Sequence, residues 1–245
     1  MSEIAASVGE IQEDQGFRWL SIPNTGAAPD PQSGVRILHR SRDGRYETSY
    51  QCWRDRVTER VPAGPEQEMF YVVEGTVACT YPSGAATHWR TGDLGYHASS
   101  VPCEIVRSDG LRMVRFRWSA PPAERAADGG LHVFGDRGPT TLYHGSPVTN
   151  HTVHASADGR VLGFYGVATE GVRFTEVPQD VEESFLVVQG SIRCTPHGGR
   201  PIVWRAGDLV YWPYDRTFDL EYSTGMGTVC IFWADQRLPN FTGSP

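Results

Sequence analysis

Hydrophobic and polar positions alternate along this chain with a period of two. In Glu68-Met69-Phe70-Tyr71-Val72-Val73 the alternation ends at Glu74-Gly75, and Thr76 to Thr80 follows at once as a second short strand. Tyr81-Pro82-Ser83-Gly84 is turn chemistry, as is Pro196-His197-Gly198-Gly199. Val114, Phe116 and Trp118 alternate with Arg115 and Arg117 in a later strand. No segment sustains a helical period. Many short strands broken by glycine turns predict a sandwich or barrel.

The pattern also repeats. Shifted by 115 residues, the chain matches itself at 18 of the 51 positions from 68 to 118, without a gap. Glu68, Phe70, Val72, Val73 and Gly75 fall on Glu183, Phe185, Val187, Val188 and Gly190. Cys79 and Thr80 fall on Cys194 and Thr195, and Gly92, Asp93, Leu94 and Tyr96 on Gly207, Asp208, Leu209 and Tyr211. A tandem duplication explains this, with one copy over 36–120 and the other over 151–245. The segment 121–150, rich in Pro, Gly, Ala and Asp, reads as a linker. Residues 1–35 read as an arm that covers a sheet edge.

Composition narrows the chemistry. With 245 residues, 39% hydrophobic and 21% charged, the chain suits two modest globular domains. All 22 cationic side chains are Arg, so lysine Schiff-base chemistry, the usual pyridoxal phosphate anchorage and a P-loop are excluded. A net charge of -7 argues against sequence-independent nucleic-acid binding. No apolar run reaches membrane-spanning length, and the first residues lack a secretory pattern. Five cysteines without a C-x-x-C pair fit a reduced, cytoplasmic protein.

With these residues in place, the chain resembles the cupin superfamily in its two-domain, bicupin form. The family's first motif closes with Glu, six residues and Gly, here Glu68 to Gly75 and Glu183 to Gly190. Its second opens with Gly-Asp, here Gly92-Asp93 and Gly207-Asp208, the latter followed by Pro213. Phe-x-Val-Val-x-Gly followed by Trp-Arg-x-Gly-Asp-Leu is similar to the branch that includes ethanolamine-utilisation-like proteins. The resemblance implies an all-β fold, a tandem duplication of the cupin double-stranded β-helix, or jelly-roll barrel. It also implies a metal held by His-x-His before the Glu and by a late His. Those windows read Val61-Pro62-Ala63-Gly64 with Cys103, and Glu176-Val177-Pro178-Gln179 with Phe218. The first copy keeps Glu68 and Cys103. The second keeps Glu183, with Glu176 or Gln179 if the register allows. Neither set holds a divalent ion in the usual way, so the expectation is no metal and no cofactor.

Several side chains then compete for a role. Glu68 is a base or acid, or an inherited carboxylate bonded to barrel hydroxyls. Tyr96 and Tyr211, equivalent in the repeat, are either packing residues or acid–base partners of the carboxylates. Cys103 is a nucleophile candidate without an identifiable histidine base. His97, placed in a loop near the barrel mouth, is a substrate-binding candidate. Arg115 and Arg117 either face solvent and bridge to another strand, or enter a cavity as an anion clamp. Val114, Phe116 and Trp118 form the more obvious core face. His151 and His154 fall in the linker and point to opposite sides of a strand. The first copy carries the more polar interior candidates and is expected to hold the ligand. The expected partner is a small metabolite, not nucleic acid or membrane, and exposed barrel edges are compatible with a homodimer. The leading reading is metal-independent acid–base chemistry of isomerase, cyclase or lyase type. A non-catalytic binding bicupin and a dioxygenase with atypical ligands are the alternatives.

Overall fold

The computed structural model describes residues 10–22, 34–98, 101–119, 132–133, 140–142, 147–156 and 158–234. Every regular element among them is a strand. None is a helix long and apolar enough to cross a membrane.

The first barrel is built from two sheets. Its strands are β3 (Gly34–Arg40), β4 (Tyr46–Cys52), β5 (Val57–Val61), β6 (Glu66–Glu74) and β7 (Thr76–Thr80). They continue with β8 (Ala86–Arg90), β9 (Leu94–Ala98), β10 (Cys103–Arg107) and β11 (Arg112–Ser119). One sheet runs β9-β6-β11-β4-β3 and the other β5-β10-β7-β8. All pairs are antiparallel, as a jelly roll requires.

The second barrel repeats the scheme. It contains β14 (Val148–Ala155), β15 (Val161–Ala168), β16 (Val172–Gln179), β17 (Glu182–Gln189) and β18 (Ser191–Pro196). It ends with β19 (Ile202–Arg205), β20 (Asp208–Trp212), β21 (Arg216–Tyr222) and β22 (Met226–Trp233). Its sheets run β20-β17-β22-β15-β14 and β16-β21-β18-β19. Gly75 and Gly190 close equivalent turns with φ of 92° and 73°, where a Cβ would strike Ser108 or Ser223.

Edges are completed by exchange. The N-terminal strands β1 (Gln12–Asp14) and β2 (Phe17–Ser21) extend the second barrel's sheet, Leu20 pairing with Leu209. From the segment between the copies, β12 (His132–Val133) pairs with β9 of the first barrel, and β13 (Thr140–Leu142) pairs with β14. The expected boundary at residue 150 therefore lies inside β14. Each barrel closes an edge with chain that precedes the other.

The central strands of the larger sheets, such as β4 and β22, are buried on both faces. Their outer faces pack against each other in one apolar cluster. It joins Leu38, Tyr46, Met69, Val114, Phe116 and Trp118 of the first copy to Leu186, Leu209, Val229, Ile231 and Trp233 of the second. Tyr46 stacks on Trp233 with centroids 5.6 Å apart. A Cβ on Gly163 would meet Met69 Sδ at 2.7 Å, so the faces interdigitate. Val114, Phe116 and Trp118 thus form the seam between barrels, and Arg115 and Arg117 point into the first barrel. The most apolar face of β11 is not the barrel's own interior.

Candidate functional site

Strand parity sorts the candidates. On β6, Glu68 lies opposite His97 of β9 and Arg117 of β11. Directly paired residues share a face, so these side chains all enter the first barrel. Met69 pairs with Tyr96, and both turn to the seam.

His97 is therefore inside β9 rather than in a loop, and it is 2% exposed. Its Nδ1 is 3.7 Å from Glu68 Oε1, and its Nε2 is 3.4 Å from Cys103 Sγ. The histidine that Cys103 lacks in the linear sequence is His97. Cys79 completes the cluster: its Sγ, Cys103 Sγ and a His97 ring nitrogen lie within 4.8 Å of one another. The sequence marks Cys79 only as a repeat match with Cys194, a signal that carries nothing about its approach to His97.

The environment separates those two cysteines. Cys79 is held well below the usual thiol range by a hydrogen bond from Cys103, with His97 and Tyr81 also lowering it. Cys103 is pushed up in turn, because the neighbouring Cys79 sulfur disfavours a second negative charge. At the equivalent place in the second barrel, burial raises Cys194 to about 12. There, Trp212 and Phe218 occupy the positions of His97 and Cys103.

Glu68 engages charged groups and not barrel hydroxyls. Arg115 Nε donates to its Oε2. Arg117 reaches Glu66 at 3.2 Å and Glu47 at 3.5 Å. Arg107 donates to Glu59 at 2.7 Å and lies over the Trp53 ring. Each of these guanidiniums already has a carboxylate partner. Both arginines of the expected anion clamp enter the barrel, and each faces a carboxylate of this chain. The freer cation is Arg60 at the rim, 91% exposed and 3.9 Å from Glu104.

The interior beside Glu68 and His97 holds only about 10 Å³, room for a single water. Above it opens a mouth of about 650 Å³, lined by Arg60, Val61, Pro62, Tyr81, Pro102 and Cys103 among others. That volume suits a small organic ligand. Cys103 belongs to both the mouth and the buried cluster, and so links solvent to His97.

Two candidates move away from any site. Tyr96 donates its hydroxyl to Gln67 at 2.8 Å and stacks on His154. Tyr211 donates to Glu182 at 3.2 Å and stacks on His39. Both phenols face the seam, opposite to Glu68 and Glu183, so neither is placed to exchange a proton with those carboxylates. His154 is likewise not in a linker, since it sits on β14 and packs against Tyr96.

Glu183 stands apart in the second barrel. It lines a cavity of about 60 Å³ with Phe164, Trp212, Cys230 and Phe232 among others. Gln179 donates to it at 3.4 Å, and burial pushes its carboxyl up to about 8.

The donors that a cupin metal would need do not fit here. The end of β5 offers Val61 and Pro62, and Arg115 occupies Glu68.

No family model matches the chain, and no curated protein matches it. Solved structures do match in fold. A cupin 2 conserved barrel domain protein from Leptotrichia buccalis aligns with a TM-score of 0.62 at 10% identity, over 83% of this chain and 90% of that one. A protein of unknown function from Pseudomonas syringae aligns at 0.60 and 12%, over 87% and 98%. A salicylate 1,2-dioxygenase variant from Pseudoaminobacter salicylatoxidans aligns at 0.57 and 14%, over 77% and 71%. At such identities the likeness is one of fold.

Proposed function

We propose that this chain of the cupin fold is a small-molecule enzyme of proton-transfer type, worked at the floor of the first barrel's mouth. Isomerisation, cyclisation or elimination suits it, without the metal set usual for the fold. One observation carries the reading: the Glu68–His97–Cys103 file, which runs from a buried carboxylate through an imidazole to a thiol lining the open mouth.

The roles follow from position. Glu68 faces His97 Nδ1 from 3.7 Å, and its charge favours the tautomer that keeps the proton on that nitrogen, so that Nε2 is directed toward Cys103 and the mouth. His97 takes or returns the proton, and Cys103 is the group that meets substrate. The Cys79–Cys103 pair shares one proton more readily than none, which gives the floor both a thiolate and a thiol. Arg115 balances Glu68, and at the rim Arg60 and Glu104 carry opposite charges, so the mouth sets no net charge for the substrate.

A non-catalytic binding bicupin is the second reading, favoured by the internal neutralisation of Arg107, Arg115 and Arg117. One experiment separates the two. Small keto acids, hydroxy acids, lactones and phenols are screened by thermal shift, and binders are incubated in deuterated buffer. Wild-type protein is expected to wash deuterium into a carbon position of a bound compound. His97→Gln and Cys103→Ser are expected to keep binding and lose the exchange. Binding without exchange in the wild type would favour the second reading.

A further inference from the structure

The Cys79–His97–Cys103 cluster has a property that proton transfer does not use. Its donors are two sulfurs and an imidazole nitrogen, all buried and converging on one point. A tetrahedral ion with bonds of about 2.3 Å to sulfur and 2.0–2.1 Å to nitrogen holds such donors roughly 3.6–3.8 Å apart. Cys103 Sγ and His97 Nε2 are already 3.4 Å apart, and the remaining separations are bounded at 4.8 Å. We propose that Cys79 Sγ, Cys103 Sγ and His97 Nε2 form a three-donor site for a thiophilic divalent ion of the zinc type, facing the mouth that Cys103 lines.

Three further observations favour an ion here. Glu68 stands behind the imidazole, 3.7 Å from Nδ1, as the outer carboxylate of a carboxylate–histidine–metal arrangement does. Soft thiolates select zinc-like or cuprous ions over magnesium or calcium. The strand register disfavours the competing outcome, a disulfide. Cys79 lies opposite Ile105, so Cys103 is its diagonal neighbour. Diagonal Cα atoms stand roughly 7–8 Å apart, beyond the roughly 4.4–6.8 Å that a disulfide spans.

This donor set keeps Cys103 of β10 from the late-His position but adds Cys79 of β7 and His97 of β9 and uses nothing from β5, so it differs from the set implied by the cupin resemblance. The second barrel has no counterpart, because Trp212 and Phe218 replace two of the three donors. The site stands on its own geometry. Its consequence rests on the proton-transfer reading above: a bound ion takes the lone pair of His97 and both thiol sulfurs, and so silences the file.

The test uses the full chain, freed of metal by chelation under reducing conditions and titrated anaerobically with Co²⁺. We expect one ion per chain, thiolate-to-cobalt charge-transfer absorption and the strong visible bands of a tetrahedral centre, all displaced by Zn²⁺. Cys79→Ser, Cys103→Ser and His97→Gln should each weaken binding more than the ~10–100-fold typical of losing an outer-shell partner. Glu68→Gln should fall within that range, and Cys194→Ser should leave binding unchanged. X-ray absorption of the zinc-loaded wild type needs no variant and should show two sulfurs and one nitrogen. A shell of oxygen and nitrogen alone, cobalt spectra without charge transfer, or a Cys79–Cys103 disulfide found by mass spectrometry would overturn the site. No substrate enters these measurements, so a failed metal site and a failed turnover reading are told apart.

Discussion

His39 of the first barrel lies flat on Tyr211 of the second, with ring centroids 3.7 Å apart and planes 10° from parallel. The contact has a twin under the 115-residue shift: His154 of the second barrel lies on Tyr96 of the first, at 4.3 Å and 13°. Each copy thus places a histidine on the other's tyrosine. His39 also meets Glu182 at 3.2 Å, and Tyr211 donates to the same carboxylate. Aromatic pairs add about 0.5–1.5 kcal/mol beyond the area they bury. His39→Ala is therefore expected to lower unfolding stability by about 1–3 kcal/mol, and Tyr211→Phe, which keeps the ring, by about 1 kcal/mol or less. Urea denaturation checks the order. An equal loss in both variants would show that the carboxylate contact, and not the stack, holds the seam.

The seam also explains what the sequence left hidden. Period-two alternation and the repeat from residue 68 were enough for an all-β, duplicated barrel, since both survive in local spacing. The repeat in fact begins earlier. His39, Ser41, Asp43, Gly44 and Arg45 recur as His154, Ser156, Asp158, Gly159 and Arg160. Ser41 and Ser156 each bond their Asp at 2.7 Å and cap the next strand's first N–H. Alternation shows two faces without saying which one meets the barrel's own interior. In β11 the apolar face meets the other barrel. The approach of Cys79, His97 and Cys103 depends on register between three strands in two sheets, which spacing along one strand does not encode.

Tyr96 and His97 test that parity directly. They are consecutive on β9 and point to opposite sides, Tyr96 to the seam and His97 to the cluster. Tyr96→Phe removes one buried hydrogen bond to Gln67, at a cost of about 1 kcal/mol. It is expected to leave solvent-deuterium exchange into a bound compound unchanged, whereas His97→Gln abolishes it. Loss of exchange in Tyr96→Phe with its fold intact would return the phenol to the chemistry.

Glu68 and Arg115 form a partly screened ion pair inside the first barrel, with Arg115 23% exposed. Removing one partner strands the other, but solvent access softens the loss. Glu68→Gln is expected to destabilise by about 1–3 kcal/mol, less than the ~3–5 kcal/mol of a fully buried pair. Adding Arg115→Met should recover part of that loss, because the stranded guanidinium is gone. A double-mutant cycle by chemical denaturation measures the coupling. Strict additivity would mean that the pair contributes nothing.

Met69 reaches across the seam to Gly163, where a Cβ would sit 2.7 Å from its Sδ. Gly163→Val forces the thioether aside in a cluster without spare room. A loss of about 1–3 kcal/mol is expected from such overpacking. Met69→Ala in the same background should relieve the clash and leave mainly its own cavity cost. Thermal unfolding of the two single variants and the double variant decides this, and a double variant worse than the sum would contradict it.

Glu183 supplies the pH dependence. Its carboxyl is raised from 4.5 to about 8, chiefly by burial, with bonds from Cys230 and Gln179 only partly offsetting this. Between those two values the folded chain keeps a proton that the unfolded chain has released. Stability from this group is thus fully present below pH 4.5 and falls as pH rises to about 8. The loss on completing that titration is roughly 3–5 kcal/mol. Glu183→Gln preserves shape and a donor but cannot ionise, so its stability should not fall over this interval on that account. The difference between variant and wild type, followed by urea denaturation from acidic to alkaline buffer, should grow in the variant's favour and level off above pH 8. Groups that do not touch Glu183 contribute alike to both proteins and cancel in the difference, and the Cys230 thiol, which burial and Glu183 push well above its ordinary range, titrates beyond this interval. Parallel curves would place the raised proton on a group other than Glu183.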